Sequence, residues 1–500
     1  MITKTNYVSY CKCPKWLYLS VHKKDEEEIN EESIRKGNET GALARGLFGD
    51  FVLVGKDTLN MDEKASETKM YIDMNAEIIC EASFVFRDLF CAVDILRKVE
   101  DGYEIYEVKS TTSVNDKNTM LHYYQDIAFQ SYVLGKLGYK VVGANLVLLN
   151  EDYVRMGELN INELFKIINI DEEKSFVKEK EKVRDNLTKL RNIMNNIKEV
   201  NAPITSLCMN AQCPFSKYCT KNVREDSVLN LYSCRKKFSL NDMGIDTFEK
   251  LLNQSEYKLS EIQRRQIDFY LNNRSDIYVE KDNLKRFLDD IRYPIYFLDF
   301  ETINEAIPPF DNSGVYQQIP VQFSLHILHE DGTLNHKEYV GNGSDDPRGE
   351  LAKYLLEYIK SDGGTIVSYN AAFEKGRIVE LSTLDGYSDI AELNERFIDL
   401  LDVFRSGYIY NRDMKNSFSI KSTLPALFKD DPELNYKSLD EVHNGTEAMK
   451  AYNSFKSLDE ESKEKLKKNL LKYCELDTYA MVKLYQKMID LTKLGDDVNE

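Results

Sequence analysis

The stretch YFLDFET, residues 296–302, constrains the fold of this chain more than any other: an apolar and aromatic run closes on Asp299 and Glu301. Residues two apart on a strand share a face, so a buried strand here delivers two carboxylates to one point. Acids that close repel each other unless a cation or a proton neutralises one of them. Taken alone, D-x-E also fits a strand end with two solvated acids.

Two later stretches add to the pair. GTIVSYNAAFEKGRIVEL, 364–381, reads as an apolar strand, a turn at Asn370 and a helix with Glu374 near its start. LLKYCELDTYAMVKLY, 470–485, reads as a helix whose Tyr473 and Asp477 stand four apart on one face. Asp299, Glu301, Glu374 and Asp477 therefore form an oxygen-only set suited to two Mg²⁺ or Mn²⁺ ions roughly 3.5 to 4 Å apart. Tyr473, one turn from Asp477, could orient an attacking water.

FLDFET, YNAAFE and YCELDTYAM resemble the three exonuclease motifs of the DnaQ-like DEDD superfamily in its tyrosine subtype. Glu374 stands where that superfamily usually has Asp. The resemblance covers about 200 residues and implies an RNase H-like domain with 3′–5′ exonuclease activity. Between the second and third motifs lie Asp399, Asp402, Ser419 and Lys421. Lys421 could contact phosphate or be a solvated loop lysine. With IPVQFSLHIL, this region is similar to a bacterial family of uncharacterised proteins that join such a domain to an N-terminal nuclease-like region.

The N-terminal part carries its own pattern. LFCAVDILRKVEDGYEIYEVKSTTS, from residue 89, reads as two strands joined by a hairpin at EDG. Asp94 ends an apolar run, and Glu107 and Lys109 share one strand face. In D-x12-E-x-K the acids can hold a divalent metal while the lysine positions or polarises water at a phosphate. A hairpin with an ordinary surface Glu and Lys is the alternative. Glu81 lies upstream in CEASFVF, Glu39 in GNETGALARGLF, and the helical HYYQDIAFQSYVLGKLG follows. The whole resembles PD-(D/E)XK nucleases of the RecB and AddB type, which implies a restriction-endonuclease-like domain. In that resemblance Glu39 falls near a histidine of some relatives, and Asp126 and Gln130 take the places of the usual Gln-x-x-x-Tyr.

Nine cysteines in 500 residues do not make a secreted disulfide scaffold. The cluster Cys208, Cys213 and Cys219 calls for a metal. Iron–sulfur members of the RecB-like group, including CRISPR-associated four-cysteine exonucleases, pair one cysteine before the nuclease core with three after it. The resemblance thus implies Cys13, in CKCPKWLYL, with Cys208, Cys213 and Cys219 around a [4Fe–4S] cluster. Cys11 is the alternative to Cys13, and structural zinc the alternative to iron–sulfur. Cys80, Cys91, Cys234 and Cys474 read as small buried residues.

The expected class is α/β, in four parts: a PD-(D/E)XK domain over 1–222, a helical connector over 223–290, a DEDD exonuclease domain over 291–492 and a tail over 493–500. The 171–200 stretch, with both signs of charge and apolar residues at helical spacing, reads as a solvated helix with one buried face. A net charge of −18 argues against a uniformly basic coat for nucleic acid, without excluding a local groove. No apolar run suits a signal peptide or a membrane span, so a cytoplasmic protein is expected. The expected activity is bifunctional phosphodiester hydrolysis, on DNA ends or single-stranded DNA before RNA. Tyr123, Tyr124 and Tyr369 could stack bases or pack in cores. Other readings are a nucleic-acid-binding assembly protein with inactive sites and a zinc-stabilised adaptor. The sequence has no Gly-x4-Gly-Lys-Ser/Thr loop, so unwinding would need a helicase partner, in repair or defence.

Overall fold

The computed structural model describes residues 1–493 apart from 57–59, 113–115, 211, 255, 416, 430, 435, 437, 438 and 440. The expected tail, beyond Lys493, lies outside the described residues. The architecture is mixed α/β and divides into two compact units, 1–222 with 305–316, and 223–304 with 317–500.

The first unit is built on a seven-stranded sheet: β1 (Ile2–Thr3), β2 (Val52–Leu53), β3 (Ile78–Phe86), β4 (Leu89–Val99), β5 (Gly102–Lys109), β6 (Val141–Leu149) and β7 (Phe165–Asn169). Strands β2 to β7 lie side by side in chain order, and β1 pairs with β4. The β4–β5 hairpin turns at Glu100 and Asp101, and a Cβ on Gly102 would stand 2.3 Å from the Lys140 carbonyl oxygen. Strands β5 and β6 run parallel, a pairing that requires a crossover, here helix α5.

The longer helices of this unit are α1 (Lys4–Lys12), α2 (Pro14–His22), α3 (Glu31–Ala44), α4 (Met61–Asp73), α5 (Lys117–Lys136) and α6 (Lys174–Met194). Helix α6 buries Phe176, Val183, Leu187 and Leu190 at helical spacing, together with Glu179, which accepts from Gln125, and leaves most of its other charged residues outside. Those residues join Tyr7, Ile105, Phe129 and Leu146 in one core.

The segment 305–316 packs with this unit. Ala306 lies in a second core with Ala44 and Tyr106. Arg155 Nη1 donates to the carbonyls of Pro308 and Pro309, both at 3.2 Å, and the Tyr316 hydroxyl donates to the Ser110 carbonyl at 2.8 Å.

In the second unit, residues 223–290 are more than a connector. Val228, Leu231, Leu240, Phe248 and Ile267 form a small core of their own. Helix α7 (Glu261–Leu271) and helix α8 (Lys281–Asp289) place Phe269 and Leu284 in the main core of this unit. Strand β8 (Tyr278–Val279) pairs antiparallel with β14 (Ile409–Tyr410).

The main sheet here has five strands: β9 (Ile295–Ile303), β10 (Ile319–Leu328), β11 (Leu334–Val340), β12 (Ile366–Ser368) and β13 (Phe397–Asp399), in the order β11-β10-β9-β12-β13. Pairs among β9, β10 and β11 are antiparallel, and β9–β12 and β12–β13 are parallel. Helices α9 (Arg348–Tyr358) and α10 (Ala372–Leu381) share a core with Tyr296, Leu298 and Phe300. Phe297 points the other way, into the core of helix α13 (Glu460–Lys493). The two-residue period puts Asp299 and Glu301 on the Phe297 face, toward α13. Helices α11 (Ile420–Leu427) and α12 (Gly445–Ser454) precede α13. Among the described residues no helix is long and apolar enough to cross a membrane.

Candidate metal centres

In the first unit the site forms where two strands part. Strand β5 pairs with β4 only from Ile95 to Val99, and β1 takes the same strand again at Leu89 and Phe90. Asp94 sits at this fork and its Oδ2 accepts from the Val108 amide at 2.8 Å. Glu107 and Lys109 follow on β5, and α5 brings Asp126 and Gln130 over them. Lys109 Nζ donates to Glu107 Oε1 at 2.6 Å and to Asp126 Oδ2 at 2.8 Å. Gln130 Nε2 donates to Glu107 Oε2 at 2.6 Å and to Asp126 Oδ1 at 3.0 Å.

Lys4, which no sequence pattern marked, opens α1 and lies 2.9 Å from Glu107, 3.5 Å from Asp94 and 3.9 Å from Asp126. Burial, reinforced by Asp126 and Asp94, pushes the Glu107 carboxyl up to about 7. Burial also works against charge on Asp126, but Lys109 and then Lys4 hold its carboxyl below the usual range. The same burial opposes charge on Lys109, yet Asp126 and Glu107 keep its ammonium protonated.

Glu81 belongs to this cleft, whose walls include Lys4, Arg45, Asp94, Glu107 and Lys109. Its backbone is left-handed, with φ at 58°, a conformation uncommon outside glycine and one that favours functional positions. Burial and Asp94 raise its carboxyl, and Arg45 pairs with it at 3.2 Å. Glu39 does not join them: it is exposed and bound by Arg35 Nη1 at 2.8 Å.

In the second unit, ligand oxygens of Asp299, Glu301 and Asp477 lie within 4.8 Å of one another, close enough to share an ion. Glu374 sits in the first turn of α10, after a left-handed Asn370 whose amide donates to Asp399 at 2.8 Å. Its Oε2 is buried without a hydrogen-bond partner, which is costly unless a proton or cation meets it.

Burial is the first cause of every shift in this cluster. It pushes Glu301 up to about 8, with Asp477 adding to it, and Glu374 up to about 8, with Asp399 adding to it. Asp299 is raised well above the carboxylate range by burial, Asp477, Glu301 and Glu374. Asp477 reaches about 6, restrained by the Tyr436 and Tyr473 hydroxyls.

Tyr473 is buried beside these acids, and Lys421 Nζ lies 5.8 Å from its ring centre. Lys421 donates to the His443 carbonyl at 3.0 Å. Tyr436, absent from the sequence reading, donates to Asp477 Oδ1. Cys474 is fully buried with Sγ 3.6 Å from Asp299 Oδ2. A Cβ on Gly445, which opens α12, would stand 3.4 Å from Glu301 Oε2, so the helix start approaches the carboxylate closely.

Asp399 Oδ1 accepts the amides of Asn370 and Leu401, fixing the turn before α10. Ser419 precedes α11 without a side-chain bond to its backbone amides, its hydroxyl instead meeting that of Ser422 at 3.1 Å, and Asp402 is exposed. Tyr369 donates to the Phe418 carbonyl and packs on Phe404, and Tyr124 packs on Phe176, so both rings have structural neighbours. Tyr123 remains beside the first cleft, with Lys109 Nζ 5.5 Å from its ring centre.

Cys13, Cys208, Cys213 and Cys219 line one cavity of about 190 Å³, walled by Trp16, Leu19 and Pro203. Cys11 faces elsewhere: Asn186 Nδ2 stands 3.9 Å from its sulfur, and burial pushes its thiol up to about 12. The four thiols fit a bound group in donor chemistry and enclosure. Zinc, with bonds near 2.3 Å, needs sulfurs about 3.8 Å apart. The donor set by itself suits either zinc or an iron–sulfur cluster.

Residues 296–419 match the Domain of unknown function (DUF2779). An uncharacterised protein of Ureaplasma parvum is 29% identical over 291 residues, 52% of this chain and 40% of that protein. An uncharacterised protein of Mycoplasma pneumoniae is 27% identical over 289 residues, 52% of this chain and 42% of that protein. The chain thus spans about two fifths of the length of these relatives, and its similarity to the domain is confined to the region that carries Asp299, Glu301 and Glu374.

Proposed function

We propose that this chain is a metal-dependent nuclease with two centres: a restriction-endonuclease-like one at Asp94, Glu107 and Lys109, and a DEDD-type, RNase H-like one at Asp299, Glu301, Glu374 and Asp477. The observation that carries the reading is the convergence of Asp299, Glu301 and Asp477 within 4.8 Å, next to a buried, unpartnered Glu374 oxygen. Buried like charges of this density have no role as a packed core, and divalent cations answer both their charge and their oxygen chemistry. Mg²⁺ or Mn²⁺, when bound, would activate water and stabilise the leaving oxygen of a phosphodiester.

The chain's own groups then have distinct tasks. At the first centre Asp94 and Glu107 are the acids available to a cation. Lys109, held protonated, can donate to a scissile phosphate oxygen or orient the water, while Gln130 fixes the Glu107 carboxylate. Asp126 anchors Lys109. At the second centre Asp299, Glu301, Glu374 and Asp477 would hold the cations, and the Tyr473 phenol, beside Asp477, is placed to orient a water. Lys421 supplies positive charge at the rim for a phosphate. A [4Fe–4S] cluster on Cys13, Cys208, Cys213 and Cys219 would tie the start of the first unit to its end.

DNA ends or single-stranded DNA are the proposed substrates, with RNA 3′ ends as the second class. The test is digestion of end-labelled single- and double-stranded DNA and RNA with Mg²⁺ or Mn²⁺, comparing wild type with Lys109→Ala and Asp299→Ala. Loss of a separate activity in each variant supports two centres. Wild type that cuts no substrate, with its cofactor intact, refutes the reading and favours a binding protein.

A further inference from the structure

A further group of donors lies outside both carboxylate centres and the thiol cavity. His326 on β10 and His336 on β11 are directly opposed partners in the antiparallel ladder. Their rings stack, with centres 4.5 Å apart. Helix α13 crosses the pair and adds Glu475, whose Oε1 is 3.8 Å from His336 Nδ1. One donor atom from each of the three residues falls within 4.8 Å of the others.

The rest of each ring is held by hydroxyls. His326 Nδ1 bonds Thr478 Oγ1 at 2.8 Å, and His336 Nε2 bonds Ser324 Oγ at 2.9 Å. Ser324 and Thr478 bond each other at 2.7 Å, which closes a chain of four side chains from one imidazole to the other. Such partners fix ring orientation and tautomer, as groups behind metal-bound histidines commonly do. His326 is 4% exposed, and its Nε2 remains directed away from the hydroxyl that holds Nδ1.

We propose that His326, His336 and Glu475 form a zinc-binding site that fastens β10, the edge strand β11 and helix α13 together. Two imidazoles and a carboxylate are a donor set that zinc takes, with a fourth position left to water. Bonds near 2.1 Å put tetrahedral donors about 3.4 Å apart, so the group needs to close by about an ångström. His336 is half-buried and Glu475 exposed, so the ion reaches the site from solvent. The donors are distinct from those of the carboxylate centre: Asp477 and Cys474 face Asp299, whereas Glu475 and Thr478 face the histidines.

The test measures metal content and does not depend on cleavage, so it stands or falls apart from the nuclease reading. The full chain, stripped by chelator, is dialysed against zinc and its bound zinc counted in wild type, His336→Ala, Glu475→Gln and Cys13→Ser. One equivalent should be lost in each of the first two variants and kept in Cys13→Ser at this site. Zinc should also protect His336 from carbethoxylation in wild type but not in Glu475→Gln, which marks the ion's position by mass spectrometry. Should His336→Ala not fold, Glu475→Gln, altered at an exposed carboxylate, decides the matter. Unchanged zinc content in Glu475→Gln, with His336 equally reactive with and without zinc, overturns the proposal.

Discussion

Lys4 and Lys109 converge on a single oxygen: Glu107 Oε1 lies 2.9 Å from the first ammonium and 2.6 Å from the second. Asp94 and Asp126 complete a network of alternating charge in which Lys4 supplies positive charge where a divalent cation would. Removing one partner of a buried ion network costs about 3 to 5 kcal/mol. Lys4→Met should therefore melt lower than wild type in chelator, and Mn²⁺ should restore part of the loss. Calorimetry with and without Mn²⁺ checks this; a variant depressed equally in both conditions would exclude the substitution of cation for lysine.

Gln130 is fully buried and donates to both Glu107 and Asp126. Gln130→Met keeps the volume and removes the donor, leaving two carboxylate oxygens short of a partner at a cost of about 1 to 3 kcal/mol. As a positioning residue it should lower cleavage at the first centre about 10- to 100-fold while sparing the second. Equal loss at both centres would point to general unfolding.

The raised carboxyls of the second centre predict how the metal-free chain responds to pH. Burial pushes the folded Glu301 and Glu374 carboxyls up to about 8, against about 4.3 for an unfolded Glu. Between those values the folded state binds more protons than the unfolded one, so stability falls as pH rises through this window. In chelator the melting temperature should drop by several degrees from pH 5 to pH 8. Saturating Mg²⁺ should flatten or reverse the slope, because it takes the place of the protons. A metal-free profile that rises with pH would contradict the assigned burial.

Glu374→Gln tests the same electrostatics at one position. The buried Oε2 has no partner, and the neutral amide removes a charge that burial disfavours. The variant should be at least as stable as wild type without metal, and should lose ~100-fold or more of the second activity, since an amide is a poor ligand for a hard cation. Retained cleavage would remove Glu374 from the centre.

Cys11 and Cys13 are two residues apart, yet only Cys13 lines the cavity shared with Cys208, Cys213 and Cys219. Anaerobically purified Cys11→Ser should keep the brown colour and broad absorption at about 400 nm, and Cys13→Ser should lose both. The opposite result would exchange their roles, and zinc without iron in wild type would replace the cluster.

Much of both centres was legible from local pattern. The two-residue period of β9 predicts that Asp299 and Glu301 share a face, and the helical period predicts the same for Tyr473 and Asp477, because side-chain direction follows backbone geometry within a few residues. The hairpin that carries Asp94, Glu107 and Lys109 is local in the same sense. Asp126 and Gln130, which depart from the resemblance, nonetheless reach Glu107.

Other features exist only through packing. Lys4 lies 90 residues before Asp94 and Tyr436 lies 41 before Asp477, and neither has a neighbour in sequence that marks it. Residues 223–290 read as a helical connector between two domains, but they form a small core of their own and add Phe269 and Leu284 to a core with partners far along the chain. Glu39 reads as a site residue by order in the chain, and is drawn off by Arg35 on its own helix. The sequence by itself determined which faces of which strands and helices carry acids, because that depends on backbone period alone. Tertiary structure decided which of those faces meet, which amines neutralise them and that Glu475 reaches His336, because these depend on distances set by the folding of the whole chain.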